Sequence, residues 1–437
     1  MTLDPRETIA KNPMSTIQIA VVAITIGLNA LDGFDVLAIS FASPGIARAW
    51  GIDRAALGFV LSMELIGMGL GSIFLGGVAD KIGRRRTVLG CLTVMTLGMI
   101  MATRAQGVYD LSVWRVFTGL GIGGMLAAIN AVAAEFSNAR RRSLNVSLMA
   151  IGYPIGAVVG GSIAALLLKQ GDWRVVFEFG AAATAVFIPL VFWLVPESVS
   201  WLCQRQPAGA LAGVNRSLSR MGRPQVAELP VIAAEVRRRS VGDIFGPRLA
   251  RATVLVTLAY FLHITTFYFI LKWVPKIVVD MGFTPSSAAG VLVWANIGGA
   301  TGGAVLGLLS LRFSLKTLTV FVLVMSTIMV AVFGRGQASL AQLSLVCAIT
   351  GFFTNAGVVG LYGIFAQVFP THVRATGTGF AVGFGRAGAV IAPIVAGYLF
   401  RAGYGLEFVA IAMGAGSLVA AIALGLLPFK REAAGAV

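Results

Sequence analysis

Charge is what this sequence has least of. Only 12% of its 437 residues are Asp, Glu, Lys or Arg, about half of what a water-soluble domain uses to dress its surface. An ordinary soluble enzyme or binding module is thereby excluded, and a second solvent is implied. Cysteine is scarce too. Cys91, Cys203 and Cys347 are too dispersed for a metal cluster, and their odd number argues against a disulfide scaffold. A nucleotide-binding glycine loop and a nucleophile triad are both missing, so neither enzymatic activity nor a cofactor or metal is expected. The N-terminus lacks a cleavable-signal pattern, because Asp4, Arg6, Glu7 and Lys11 lead directly into the first long apolar run.

What the chain does have is hydrophobic length. Hydrophobic residues make up 57% of it, in recurring runs of about 20 that can each cross a hydrocarbon layer of roughly 30 Å as a helix. The 54 glycines do not argue against helices, because spanning helices that pack closely favour small residues. Spans are expected near residues 17–40, 56–78, 87–106, 112–136, 144–168 and 174–195, then 251–273, 287–309, 316–333, 340–367, 375–400 and 405–427. This is an all-α polytopic membrane protein of twelve transmembrane helices, read as two pseudo-symmetric six-helix bundles over 1–195 and 251–437. A polar central loop, 196–250, joins them, carries Arg205, Arg216, Arg220, Arg223 and the run Arg237, Arg238, Arg239, and has room for a short surface helix. The stretch from Arg142 through Gly156 to Gly161 parallels that from Arg374 through Gly388 to Pro393, about half a chain length on. Weak parallel similarity between halves suits a solute transporter.

The net charge of +16 would suggest nucleic acid in a soluble protein. Here the basic residues gather in short segments between apolar runs, including Lys81, Arg84, Arg85, Arg86, Arg140, Arg141, Arg142, Arg312, Lys316 and Arg374. Lys and Arg hold such segments in the cytoplasm, which puts both termini there and removes the need for a nucleic-acid partner. The lipid bilayer is the partner instead, and a monomer is the expected functional unit.

A few charges fall inside the spans, where each is costly and points to a task. Asp32 and Asp35, three residues apart, share a helix face. Two such carboxyls must face a polar cavity, pair with a cation or hold a proton. Arg115 lies near the outer end of the fourth span, about 6 Å deep against about 12 Å for Asp32 at 1.5 Å per residue. An ion pair between those helices is therefore feasible, and Gly119 and Gly123 allow close approach to a neighbour. Glu64 is a further, weaker proton-site candidate. Arg386, some ten residues into the eleventh span, offers a planar fork of donors to a carboxylate. His263, with Tyr260, Tyr268 and Lys272 nearby in the seventh span, and Asn355 in the tenth, complete the candidate substrate contacts. Lys272 can snorkel to the outer interface or attract an anion, and His263 can exchange protons or sit hydrogen-bonded in the core.

At the basic end, Gly76 to Arg86 forms a tight turn in which Asp80 lies near the positive start of the next helix. Glu135 is poised near Arg140. Asp80, Arg84, Glu135 and Arg140 are thus candidates for an ion-pair latch.

Together these stretches resemble the major facilitator superfamily. Gly76 to Arg86 resembles its loop between helices two and three, Arg115 to Gly124 its fourth-helix motif, Gly152-Tyr153-Pro154 with Gly156, Gly160 and Gly161 its fifth-helix motif, and Pro196-Glu197-Ser198 the end of its sixth helix. Within it the chain is similar to bacterial aromatic acid:proton symporters of the 4-hydroxybenzoate and benzoate type. Leu31 to Asp35, Leu258 to Pro275, and Phe369 to Gly377 leading to Arg386 carry that likeness. The resemblance implies proton-driven uptake of an aromatic carboxylate across the bacterial inner membrane, with Asp32, Asp35, Arg115 and Glu135 important for transport and the proton as coupling ion. Two departures stand out. Leu311 and Leu315 replace the Asp and Arg of the repeated loop signature, and Lys272 stands where a small polar residue is usual. Uptake of a non-aromatic organic anion, or efflux by an antiporter of the same superfamily, remain the alternatives, although Arg386 would repel a cationic drug.

Overall fold

Helix is the only regular structure among the described residues of the computed structural model, which cover 4–230, 241–247, 249–370 and 373–427. Arg237, Arg238 and Arg239 of the central loop, and Thr371 and His372 of the family-like stretch, lie outside them. Helix α1 (Pro5–Lys11) is followed by six long helices: α2 (Thr16–Trp50), α3 (Arg54–Ile82), α4 (Arg84–Thr103), α5 (Val108–Glu135), α6 (Arg142–Leu167) and α7 (Arg174–Leu194). The central segment supplies α8 (Val199–Arg205), α9 (Ala210–Arg220) and a 3₁₀ turn (Val241–Phe245). Six more long helices follow: α10 (Ala250–Asp280), α11 (Pro285–Leu309), α12 (Leu315–Gly334), α13 (Leu340–Val368), α14 (Arg374–Arg401) and α15 (Leu406–Gly425). The twelve long helices are all long and apolar enough to cross a membrane.

Several helix starts have a local cause. Ser15 and Gln18 close a capping box on α2, and the Asp53 side chain accepts the Ala56 N–H at the start of α3. Two helices outrun their expected ends: α2 continues from 40 to Trp50 through Pro44, and α10 from 273 to Asp280 through Pro275. A proline leaves the carbonyl four residues back without its donor. In α2 that carbonyl is Ser40 O, and the Ser43 hydroxyl donates to it at 2.8 Å. The same device acts between helices at Pro154 of α6, where the side chain of Asn29 on α2 donates to Ala150 O at 3.3 Å and to Met149 O at 2.8 Å. With α2 centred near Gly33, Asp32 and Asp35 lie at mid-helix rather than near an outer end.

The chain divides into two compact units. One comprises Met1–Val236 with Lys272–Val293, the other Arg237–Leu271 with Trp294–Val437. In the first, glycines let backbones touch. A Cβ on Gly119 of α5 would collide with the Glu64 carbonyl of α3, one on Gly67 with the Val116 carbonyl, and one on Gly156 of α6 with the Ala30 carbonyl of α2. Such contacts drive helix association in lipid, where apolar burial gives no advantage. In the second unit, Gly298 and Gly302 of α11 meet the Ala348 and Phe352 carbonyls of α13 in the same way. All three cysteines are buried and free.

Candidate functional site

In the first unit, the Gly119 contact fixes the register of α3 against α5, and one turn away it sets Arg115 beside Glu64. The Arg115 guanidinium forms an ion pair with Glu64 Oε1, donates to the Asp35 carbonyl oxygen at 3.0 Å, and lies 5.2 Å from the centre of the Phe177 ring. The ion pair of Arg115 is therefore with the second span, and its hydrogen bond to the first is at the backbone. Glu64 is the cluster's hub. Its Oε2 lies 3.7 Å from Lys272 Nζ, which also donates to the Val36 carbonyl. Lys272 does not snorkel outward: it is fully buried, as are Arg115, Glu64 and Asp35, and Asp32 is 1% exposed. Neither carboxylate oxygen of Asp35 has a hydrogen-bond partner among the described residues. Sequence reasoning gave Glu64 too little weight, because its meaning depends on which residues face it across α5 and α10.

The basic end of this unit is latched around Arg84. Its guanidinium bridges Asp80 Oδ1 at 2.6 Å and Glu135 Oε1 at 3.2 Å. Asp80 closes the preceding helix instead of heading the next. The start of α4 is met by Glu197, which accepts the N–H groups of Arg84 at 2.8 Å and Arg85 at 3.2 Å, a carboxylate at the positive end of a helix. Arg140, expected to face Glu135, is exposed and forms no ion pair among the described residues. Trp201 Nε1 and Arg205 Nε both donate to the Asp80 carbonyl, at 2.9 and 3.0 Å, tying α8 to the latch. Glu197 was noted only as a helix-end motif, and that motif was the signal for it. Gly83 makes the turn possible, with φ of 105° and the Glu197 carboxylate where a Cβ would stand. Gly83→Ala is expected to destabilise the protein by about 1–3 kcal/mol, read as a lowered thermal midpoint in detergent. An unchanged midpoint would remove the latch from this account.

At the other end of the same unit lies a cavity of about 1100 Å³. Arg48, Arg54 and Lys276 line it together with Asp53, Asp172, Phe41 and Trp173. Asp280 pairs there with Arg54 at 3.1 Å and with Lys276.

In the second unit, Gly385 of α14 packs its backbone on the Tyr260 ring of α10, bringing the neighbouring Arg386 and Tyr268 within electrostatic reach of the Tyr260 phenol. The Tyr260 and Tyr362 hydroxyls are 3.1 Å apart. Tyr362, 44% exposed, escaped the sequence reading, as did Phe384, 50% exposed, whose ring is 5.4 Å from Phe261 and 6.3 Å from Phe380. A partly buried guanidinium within electrostatic reach of a phenol can hold a carboxylate beside an aromatic face. Asn355 is turned to structural use, donating to the Gly299 carbonyl at 2.7 Å. His263 is a core residue. Its Nε2 donates to the Thr354 carbonyl and its Nδ1 accepts from the Ser417 hydroxyl, both at 2.8 Å, so no ring nitrogen is left for a substrate. We expect His263→Leu to cost about 1–3 kcal/mol of stability through the groups it strands while leaving KM unchanged in the folded fraction. A raised KM at unaltered stability would restore His263 as a contact.

Comparison with known proteins agrees with this architecture. The family profile of the Major Facilitator Superfamily matches residues 25–337 and again 256–436. The chain is 30% identical over 414 residues to the 3-(3-hydroxy-phenyl)propionate transporter of Escherichia coli (strain K12), covering 94% of each. It is 29% identical over 419 residues to a 4-hydroxybenzoate transporter of Pseudomonas putida, covering 94% of this chain and 93% of that one. The crystal structure of a D-xylose-proton symporter shares the fold with a TM-score of 0.74 at 17% identity, over 94% of this chain and 98% of that one.

Proposed function

The chain belongs to the Major Facilitator Superfamily, and on that premise we propose that it imports an aromatic carboxylate, such as a hydroxybenzoate or benzoate, together with a proton. It is a multi-pass membrane transporter and not an enzyme. The observation that carries the reading is the buried acid and cation cluster of Asp32, Asp35, Glu64, Arg115 and Lys272. Carboxyls so deep in a spanning bundle are expensive unless they pair with a cation or bind a proton, and Asp35, whose carboxylate oxygens have no hydrogen-bond partner among the described residues, is the best placed to bind and release one.

The cargo follows from Arg386 and from the relatives. Its fork of donors suits a carboxylate, Tyr260, Tyr268 and Tyr362 suit a ring, and two relatives are named for aromatic acids. In this reading the anion enters from the outer side through the cavity lined by Arg48, Arg54 and Lys276, whose charges Asp53, Asp172 and Asp280 balance. Substrate then meets Arg386 while the Asp32 and Asp35 pair takes a proton. Neutralisation lowers the cost of occluding the site, and the Asp80, Arg84 and Glu135 latch opens as both cargoes leave inward. The protein acts as a monomer in the bacterial inner membrane with both termini in the cytoplasm, as the placement of its Lys and Arg favours. The proton is the coupling ion and no other cofactor takes part.

The test is uptake of labelled hydroxybenzoates, benzoate and dicarboxylates into proteoliposomes under an imposed inward proton gradient. Accumulation of an aromatic acid that a protonophore abolishes is the expected result. Gradient-independent or absent uptake of every aromatic acid, by folded and correctly inserted protein, would transfer the reading to a non-aromatic organic anion or to export.

A further inference from the structure

Arg140, left out of the latch, faces a cavity of its own. Where α1 runs into α2, residues 10–14 lie against the turn at 136–141 between α5 and α6, and a space of about 500 Å³ lies among Lys11, Pro13, Met14, Asn138, Arg140 and Arg141. Its walls are tied to each other. The Ala139 N–H donates to the Ala10 carbonyl at 2.9 Å and the Asn138 side chain to the Asn12 carbonyl at 3.1 Å. Asn145 donates to the Ser137 hydroxyl at 2.8 Å and to the Met14 sulfur at 3.2 Å. None of these ties uses a charged group, so the cavity keeps its form whatever the cations bind.

The lining has one sign of charge. Lys11, Arg140 and Arg141 are all exposed, and no acid lines the cavity. With Glu135 taken by Arg84, neither arginine forms an ion pair among the described residues. Lys11 is met by Glu7 at 2.7 Å, while Arg223, donating to the Pro13 carbonyl, adds a further positive charge at the rim. The cavity also stands at the edge of the hydrocarbon, because α6 begins at Arg142 and is long and apolar enough to span. Beyond it Leu144, Leu148, Ile151, Ile155 and Val159 are exposed at intervals of three and four, hence along one face. We propose that this cavity is a headgroup site for an acidic phospholipid, with the phosphate on Arg140, Arg141 and Lys11 and the acyl chains along that face of α6. Guanidinium forks match phosphate oxygens, and basic pockets beside spanning helices hold anionic headgroups. A free phosphate offers the same oxygens; the apolar ladder rising from the cavity is what favours the lipid. The site is separate from the cargo path and does not depend on the import reading.

The test is lipid binding by the full chain in detergent, read by native mass spectrometry with phosphatidylglycerol or phosphatidylcholine added. The thermal midpoint supplies a second readout, since a ligand that binds only the folded protein raises it. The wild type is expected to prefer phosphatidylglycerol by about tenfold or more. Arg140→Gln with Arg141→Gln should weaken phosphatidylglycerol binding about 30-fold, at about fivefold for each basic side chain beside an anionic headgroup, and leave phosphatidylcholine binding unchanged. Arg216→Gln with Arg312→Gln removes two exposed arginines from other segments outside the spans and should change it by about twofold at most. Should the first double variant fail to fold, Arg140→Gln and Lys11→Gln taken singly, each costing about fivefold, still test the site. An equal loss in the two double variants overturns the proposal, because general surface charge would then explain the binding. Equal affinity of the wild type for both lipids overturns it as well. Displacement of phosphatidylglycerol by inorganic phosphate at the same concentration overturns the lipid as occupant and assigns the cavity to a soluble anion.

Discussion

Asp35→Asn is expected to bring the accumulation ratio under a proton gradient down to about one, because the coupling free energy between proton and substrate vanishes when one partner no longer binds. The amide has nearly the shape of the protonated acid, so helix packing and the Arg115 bond to the residue 35 carbonyl should survive. Exchange of labelled for unlabelled substrate at equal concentrations, which needs no net proton movement, should therefore persist in this variant. The pair of assays separates a lost coupling site from a collapsed fold. Gradient-driven accumulation at the wild-type level in Asp35→Asn would show that the proton travels elsewhere.

Arg386→Ala should raise KM for the aromatic acid about 10- to 100-fold, the effect of losing charge-assisted hydrogen bonds of about 1.5–3 kcal/mol. Arg386 is only partly buried, so thermal stability should barely move. Lysine is an informative replacement here. It keeps the charge but not the planar pair of donors, and recovery by Arg386→Lys should be partial. An unaltered KM in Arg386→Ala would take the guanidinium out of the substrate site and leave the Tyr260 and Tyr362 pair to be tested alone.

The helices were legible in the sequence because hydrocarbon imposes a length and a composition on anything that crosses it. Their number and most of their ends follow from that one constraint. The ends at Pro44 and Pro275 were misread for a local reason. Proline normally stops a helix, and only the Ser43 hydroxyl filling in at the Ser40 carbonyl shows why α2 goes on. The candidate site was half legible. Charges in apolar runs identified Asp32, Asp35, Arg115, Lys272 and Arg386 one by one, but pairing is a property of two helices in register. Which acid meets Arg115 depends on Gly119 packing against the Glu64 backbone, and no spacing within a single span encodes that. His263 illustrates the converse. Its partners Thr354 and Ser417 lie on α13 and α15, so a lone histidine in a span gave no sign that both its nitrogens were already engaged.

The bond from Asn29 to the carbonyls beside Pro154 reaches further than helix packing. A proline in a long helix is a natural place to flex, but here the loosened backbone of α6 is tethered to the side chain of α2. Asn29 stands three residues before Asp32, about 5 Å along the helix. A bend of α6 at Pro154 would therefore be passed to α2 within one turn of the acids, through a single amide side chain.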